Sequence, residues 1–186
     1  MKLLNHVHHT ALRCLDAAQT KWFWHDVMGL KVAGAVKITE DPGTKKPCNY
    51  VHIFFEMGDG NFIAFFDDPE TLKPEHKFKK HPFDLHIAFE VDSLEEMFAW
   101  QKRINEMGVQ CLGPVNHGFV HSIYMFDPNG INVEITVRDA NHDEILAHEA
   151  EIADEILKAW TAETRTQKAE IVGLETLEAR TTKFFK

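Results

Sequence analysis

The sequence predicts an α+β fold in which one run of strand, helix and further strands occurs twice and is followed by a helical tail. Three observations carry this. Segments with the same punctuation recur in the same order in two halves of the chain. Matching landmarks keep a nearly constant offset. The pattern stops near residue 139, where apolar residues fall into helical spacing.

The first half opens with a strand over residues 5–14 that puts His9, Ala11 and Arg13 on one face. Asp16 is placed to cap the helix AAQTKWFWHDVM, since its carboxylate can accept the free amide hydrogens of the first turn. Gly29 follows where a left-handed backbone ends a helix at little cost. After a loop rich in Pro, Gly and Lys at 41–47, NYVHIFFEM and NFIAFFD flank Gly-Asp-Gly and read as a hairpin.

The second half repeats the order. DLHIAFEV at 84–91 is a strand, Ser93 caps LEEMFAWQKRINEM, and Gly108 ends that helix. A glycine-rich stretch leads to HSIYMF, the turn Asp-Pro-Asn-Gly and the strand INVEITV. His9 to His86 and Asp16 to Ser93 are both 77 residues, and Gly29 to Gly108 is 79. Neither half buries both faces of its sheet alone, so the halves are expected to pack around one shared site. The expected organisation is a domain over 1–138, with modules at about 5–68 and 83–138, and a helical extension over 139–186. In that extension Ile145, Ile152, Ile156 and Trp160 share one helix face, acidic residues fill the other, and a weaker second helix carries Ile171, Leu174 and Leu177. That stripe suits cover for a sheet or a contact between subunits, and a homodimer is compatible with it.

Composition narrows the function. The chain of 186 residues is 44% hydrophobic, and 14 phenylalanines point to much buried or pocket-lining aromatic surface. With 20 Lys and Arg against 29 Asp and Glu, the net charge of -9 repels phosphate backbones, so no nucleic-acid partner is expected. Cys14, Cys48 and Cys111 lie far apart without CxxC spacing, which argues against a disulfide framework or a cysteine zinc site. The N-terminal MKLLNHVHH has no signal-like apolar run, and no segment approaches the roughly 20 apolar residues that cross a bilayer. The default expectation is a cytoplasmic protein without a membrane partner.

Twelve histidines make any single one uninformative, but the repeat selects among them. His9 and His86 hold matching places in the first strand of each half. Glu134 stands four residues past Gly130; the matching residue past Gly60 is Ala64. Three of four related positions thus hold metal-ligating side chains, His9, His86 and Glu134. Two imidazoles and one carboxylate leave open coordination positions, the arrangement of non-haem Fe(II) sites, although zinc uses similar ligands.

The segments HHTALRCLD, WFWHDVMGL, DLHIAFEVDSLEEM and IYMFDPNGINVEI resemble the vicinal oxygen chelate superfamily, which includes glyoxalase I, extradiol ring-cleaving dioxygenases, fosfomycin-resistance enzymes and epimerases. The resemblance covers residues 5–137 and implies paired βαβββ modules forming an open, cup-shaped mixed sheet around a metal. Carried over, the superfamily ligands are again His9, His86 and Glu134. Glyoxalase I adds a carboxylate at the position held here by Ala64; Glu56 lies on the neighbouring strand. That departure favours the single-chain extradiol enzymes, whose further histidine and tyrosine correspond to His117 and Tyr124, with His121 competing for the histidine role. His76 and His81 lie in the region of another family histidine, and Arg13 is placed to meet an anionic substrate or a rim carboxylate.

The resemblance therefore implies an Fe(II)-dependent extradiol dioxygenase of aromatic catabolism. It would open a small catechol-like diol with O2, using Tyr124 and His117 as catalytic groups. Mn(II), Zn(II) and Ni(II) are the other metals the donors suit. The alternatives are a glyoxalase-like metal-dependent isomerase, lyase or epimerase, which needs no oxygen, and a protein of the same fold that only binds and sequesters a small molecule.

Overall fold

A computed structural model describes residues 3–76 and 81–180. The chain divides into two compact units, Met1–Asp139 and Ala140–Lys186. The first is built from two βαβββ modules, as expected. Module one comprises β1 (His9–Arg13), α1 (Ala17–Lys21) continued by a π-helical turn (Trp22–Val27), β2 (Lys31–Glu40), β3 (Pro47–Glu56) and β4 (Phe62–Asp67). Module two comprises β5 (His86–Glu90), α2 (Leu94–Glu106), β6 (Leu112–Asn116), β7 (Val120–Phe126) and β8 (Asn132–Arg138).

Each module forms one four-stranded sheet, ordered β1-β4-β3-β2 in the first and β5-β8-β7-β6 in the second. In both, the first strand runs parallel to the last, and the remaining pairs are antiparallel. Both sheets are open. The internal repeat is therefore a repeat of topology as well as of residues.

The punctuation residues act locally. Asp16 accepts from the Gln19 amide at 2.7 Å and Ser93 from the Glu96 amide at 3.2 Å, capping the two helices. Gly29 and Gly108 adopt φ of 73° and 83° just past them. Two strands lie where no element was expected. β2 has a mixed pattern broken by Gly34, and β6 is exposed along its length, so neither shows the alternation of a half-buried strand. Gly113 in β6 has φ of 111°, and a Cβ there would come within 2.7 Å of the Ser122 carbonyl oxygen, so the crossing with β7 requires glycine. The first strand is shorter than expected, starting at His9 rather than near residue 5.

Alternation then sorts the faces. Ile53, Phe55, Ile63 and Phe65 of module one join Ile123, Met125, Val133 and Ile135 of module two in a single core with Phe23, Trp24, Val27, Met97 and Ile104 of the helices. The modules are also tied by polar contacts. Trp24 Nε1 donates to Asp127 Oδ2 at 3.2 Å, the Leu15 amide donates to Asn129 Oδ1 at 2.8 Å, and Arg103 donates to the Val27 carbonyl at 2.8 Å. Because each sheet turns its apolar side to this common core, His9 and Glu134 stand on the opposite faces of their sheets.

The second unit contains α3 (His142–Val172) and α4 (Leu174–Glu178). The expected division falls later than the periodicity suggests: Ile171 belongs to the long helix, and Gly173 separates the two. Ile156, Trp160 and Ile171 are exposed within it. Among the described residues, no helix is long and apolar enough to cross a membrane.

Candidate functional site

In module two, cross-strand register sets the site. Glu134 pairs with Ala88 on β5 and with Tyr124 on β7, while His86 pairs with Asn132 two residue pairs away, on the same face. Glu134 is buried at 7% exposure, unusual for a carboxylate without an organised set of partners. Its Oε2 lies 2.5 Å from His86 Nε2, and its Oε1 accepts from the Tyr124 hydroxyl at 3.2 Å. The Tyr124 oxygen is in turn 2.7 Å from His117 Nε2.

A phenol has one proton to give. If that proton is directed to Glu134, His117 Nε2 must be the donor to the Tyr124 oxygen, so the four side chains form an ordered relay. Burial pushes the Tyr124 phenol above its ordinary value, and the nearby Glu134 charge adds to the rise. The phenol therefore stays neutral and able to donate.

His121, the other histidine considered for this role, points elsewhere: its Nε2 pairs with Asp139 Oδ2 at 3.0 Å. The odd step from Tyr124 puts it on the opposite face of β7. His76 Nδ1 accepts from the Lys73 amide, and His81 Nδ1 accepts from the Phe83 amide, so both serve local turns. Residues 77–80 of the same charged stretch lie outside the described residues. Arg13 reaches Thr71 Oγ1 at 2.7 Å and the Asp68 carbonyl at 3.2 Å, a rim contact that occupies its fork.

In module one, the exposed His9 shares a 2.9 Å hydrogen bond between its Nδ1 and that of His8. Its ring lies near Phe54 and His52, with centroids 6.1 and 6.4 Å away. Ala64 is fully buried beneath this group, paired with Ala11 and Phe54. Glu56 is drawn to Lys31 Nζ at 2.8 Å instead. His52 was not singled out among the twelve histidines, yet the alternation Tyr50, His52, Phe54 against buried Ile53 and Phe55 marks it as sharing the His9 face. Burial pushes the His52 imidazole below its ordinary value, with His9 contributing.

His86 and Glu134 are thus brought together, with Tyr124 and His117 beside them, while His9 stands on the other sheet. Among the described residues, no group of three His, Cys, Asp or Glu surrounds one point. A single chain therefore does not assemble the facial His, His, Glu set that ring-opening iron chemistry requires. The His86 and Glu134 donors nonetheless suit a divalent cation. An imidazole nitrogen and a buried carboxylate oxygen converge on one spot, where either a proton between them or a bound cation makes the contact favourable.

The chain belongs to the Glyoxalase/Bleomycin resistance protein/Dioxygenase superfamily, whose family model matches residues 6–135. Two curated relatives, lactoylglutathione lyases of Neisseria meningitidis serogroups A and B, are each 25% identical over 142 residues, covering 74% of this chain and 94% of theirs. Among solved structures, a fosfomycin resistance protein of Listeria monocytogenes with Mn(II) and sulfate is 18% identical with a TM-score of 0.54, covering 76% of this chain and 98% of its own. A glyoxylase/bleomycin resistance protein/dioxygenase domain of Frankia is 16% identical with a TM-score of 0.58, covering 74% and 100%. These structures share the fold.

The relatives overturn the expected extradiol dioxygenase. The curated proteins that match are lyases, so the oxidoreductase assignment and its use of iron and oxygen on an aromatic diol are withdrawn. The absence of a carboxylate at Ala64 had weighed against the glyoxalase branch, but a single position decides less than the 142 aligned residues.

Proposed function

We propose that this protein is a metal-dependent lyase or isomerase of the glyoxalase type, active as a homodimer. It would act on a small oxygenated substrate. The divalent ion, Mn(II), Zn(II) or Ni(II), would be held by His86 and Glu134 of one copy and His9 of the other. What carries the reading is the contact of buried Glu134 with His86 Nε2 at 2.5 Å, backed by the Tyr124 and His117 relay. The dimer is supported by the core: it consumes the apolar side of both sheets, so the His9 face and the Glu134 face are both left for a second copy.

The bound ion supplies Lewis acidity, polarising a substrate oxygen and acidifying the carbon beside it. The remaining tasks fall to side chains. Tyr124, kept neutral, turns its one proton from Glu134 Oε1 to a substrate oxygen when substrate binds, while His117, exposed to solvent, holds the phenol oxygen as a hydrogen-bond donor. Glu134 fixes the Tyr124 hydroxyl and offsets cationic charge. Phe54, Phe62 and Phe66 give the His9 side an aromatic wall. No redox partner is needed for such proton movement.

The test substrate follows from the curated relatives. Protein stripped of metal and reloaded with Mn(II), Zn(II) or Ni(II) is assayed for conversion of lactoylglutathione and related hydroxyacyl thioesters. Turnover that requires metal and disappears in Glu134→Ala supports the proposal. Tight binding of small molecules without metal and without turnover would instead identify a sequestering protein.

A further inference from the structure

The face of module one holds a buried nitrogen with no assigned purpose. Among the described residues, His52 Nε2 is the one buried side-chain nitrogen or oxygen without a hydrogen-bond partner. Leaving such a group unpaired is unfavourable and calls for a ligand or a functional reason. The ring is firmly fixed. It stacks on Phe66 at 3.9 Å between centroids with planes 22° apart, and Phe54 lies at 4.2 Å.

Its position is informative. His52 pairs with Phe66 on β4, one step along the same face from the pairing of Phe54 with Ala64. In module two the corresponding pair is Ser122 and Thr136, which satisfy each other through a hydroxyl hydrogen bond at 3.0 Å. Module one thus has an imidazole where module two has a small, satisfied hydroxyl. It also has a methyl at Ala64 where module two has the Glu134 carboxylate. On the same face the rings of His9 and His52 lie edge to face, with centroids 6.4 Å apart.

We infer that His52 is a metal ligand in this protein, supplying from the neighbouring strand the donor that Ala64 cannot, so that His9 and His52 face one ion together. The inference rests on the proposed metal site. Two imidazoles bound to one ion at a tetrahedral angle put their ring centres roughly 5.3 Å apart for metal–nitrogen distances near 2.1 Å. The His9 and His52 centroids are 6.4 Å apart, so the exposed His9 ring would close by about 1 Å on the stacked His52 ring to share an ion. With His86 and Glu134 the set becomes three imidazoles and one carboxylate, richer in nitrogen than a set with two carboxylates. Such donors favour Zn(II), Ni(II) and Co(II) over Mn(II).

The test uses full-length protein and Co(II), whose visible absorption reports coordination number and donor type. Three proteins are compared: wild type, His52→Phe, and His52→Phe combined with Ala64→Glu. Phenylalanine preserves the stack with Phe54 and Phe66, and thermal unfolding of the metal-free proteins checks that His52→Phe is at least as stable as wild type. The expected result is at least about a tenfold loss of Co(II) affinity in His52→Phe with an altered spectrum. Affinity should return when Ala64→Glu restores a fourth donor. Unchanged affinity and spectrum in His52→Phe would show that His52 only packs, and would leave the metal site of His9, His86 and Glu134 standing. Failure of the wild type to bind Co(II) would overturn both.

Discussion

Tyr124 and Glu134 are cross-strand partners on β7 and β8, and their side chains meet, the phenol hydroxyl 3.2 Å from the carboxylate Oε1. Direct pairing across a sheet sets the two side chains side by side on one face, within interaction range. The same hydroxyl lies 2.7 Å from His117.

Tyr124→Phe removes the hydroxyl and little else. We expect turnover to fall by about 100-fold or more, the usual scale for a lost acid–base group. Metal content should stay near that of the wild type, since the phenol is not a proposed ligand. Steady-state rates with metal analysis on the same samples check this. A variant with wild-type turnover would remove Tyr124 from the chemistry.

Asp127 links the two modules. It accepts from Trp24 Nε1, from the Asn129 and Ile131 amides and from Asn129 Nδ2 while 4% exposed. Asp127→Ala leaves these donors without their acceptor, and each buried donor so orphaned costs about 1–3 kcal/mol. A loss of at least about 2 kcal/mol in denaturant unfolding is expected, with the two modules still unfolding together.

The thiols give a pH-dependent prediction. Burial raises Cys14 and Cys111 to about 11. A group whose folded value lies above its unfolded one adds stability below the unfolded value, and that contribution is lost as pH rises through the folded value. The denaturation midpoint should therefore fall between about pH 9 and pH 11. At pH 8 both thiols should resist iodoacetamide in the folded protein and react only on unfolding. Alkylation of Cys14 or Cys111 at the rate of a free thiol would contradict their burial.

What could be read from the sequence follows a physical division. Caps and turns are local chemistry, so Asp16, Ser93, Gly29, Gly108 and the Asp-Pro-Asn-Gly turn mark the elements where they stand. β6 left no trace because Gly113 and Pro114 interrupt a strand that buries nothing. The pairing of Glu134 with Tyr124 follows once the hairpin around that turn is in register, and so could be expected from ten residues of spacing. The separation of His9 from His86 could not. It depends on which sheet faces enter the common core, a property of module packing rather than of any segment. His52 fell between these cases. Its alternation with Ile53 and Phe55 was visible, but only the tertiary surroundings show that its nitrogen has no partner.

A metal site shared between copies can be rebuilt by mixing subunits that each lack a different ligand. His9→Ala and Glu134→Ala are each expected to lack bound metal and turnover. When the two are mixed and allowed to exchange, half of the dimers pair one of each. Each mixed dimer has one intact site and one doubly altered site, so about a quarter of the wild-type metal content and activity should return. Subunit exchange, followed by mass-tagged copies, with no recovery of either would contradict a shared site and leave His9 without a role in it.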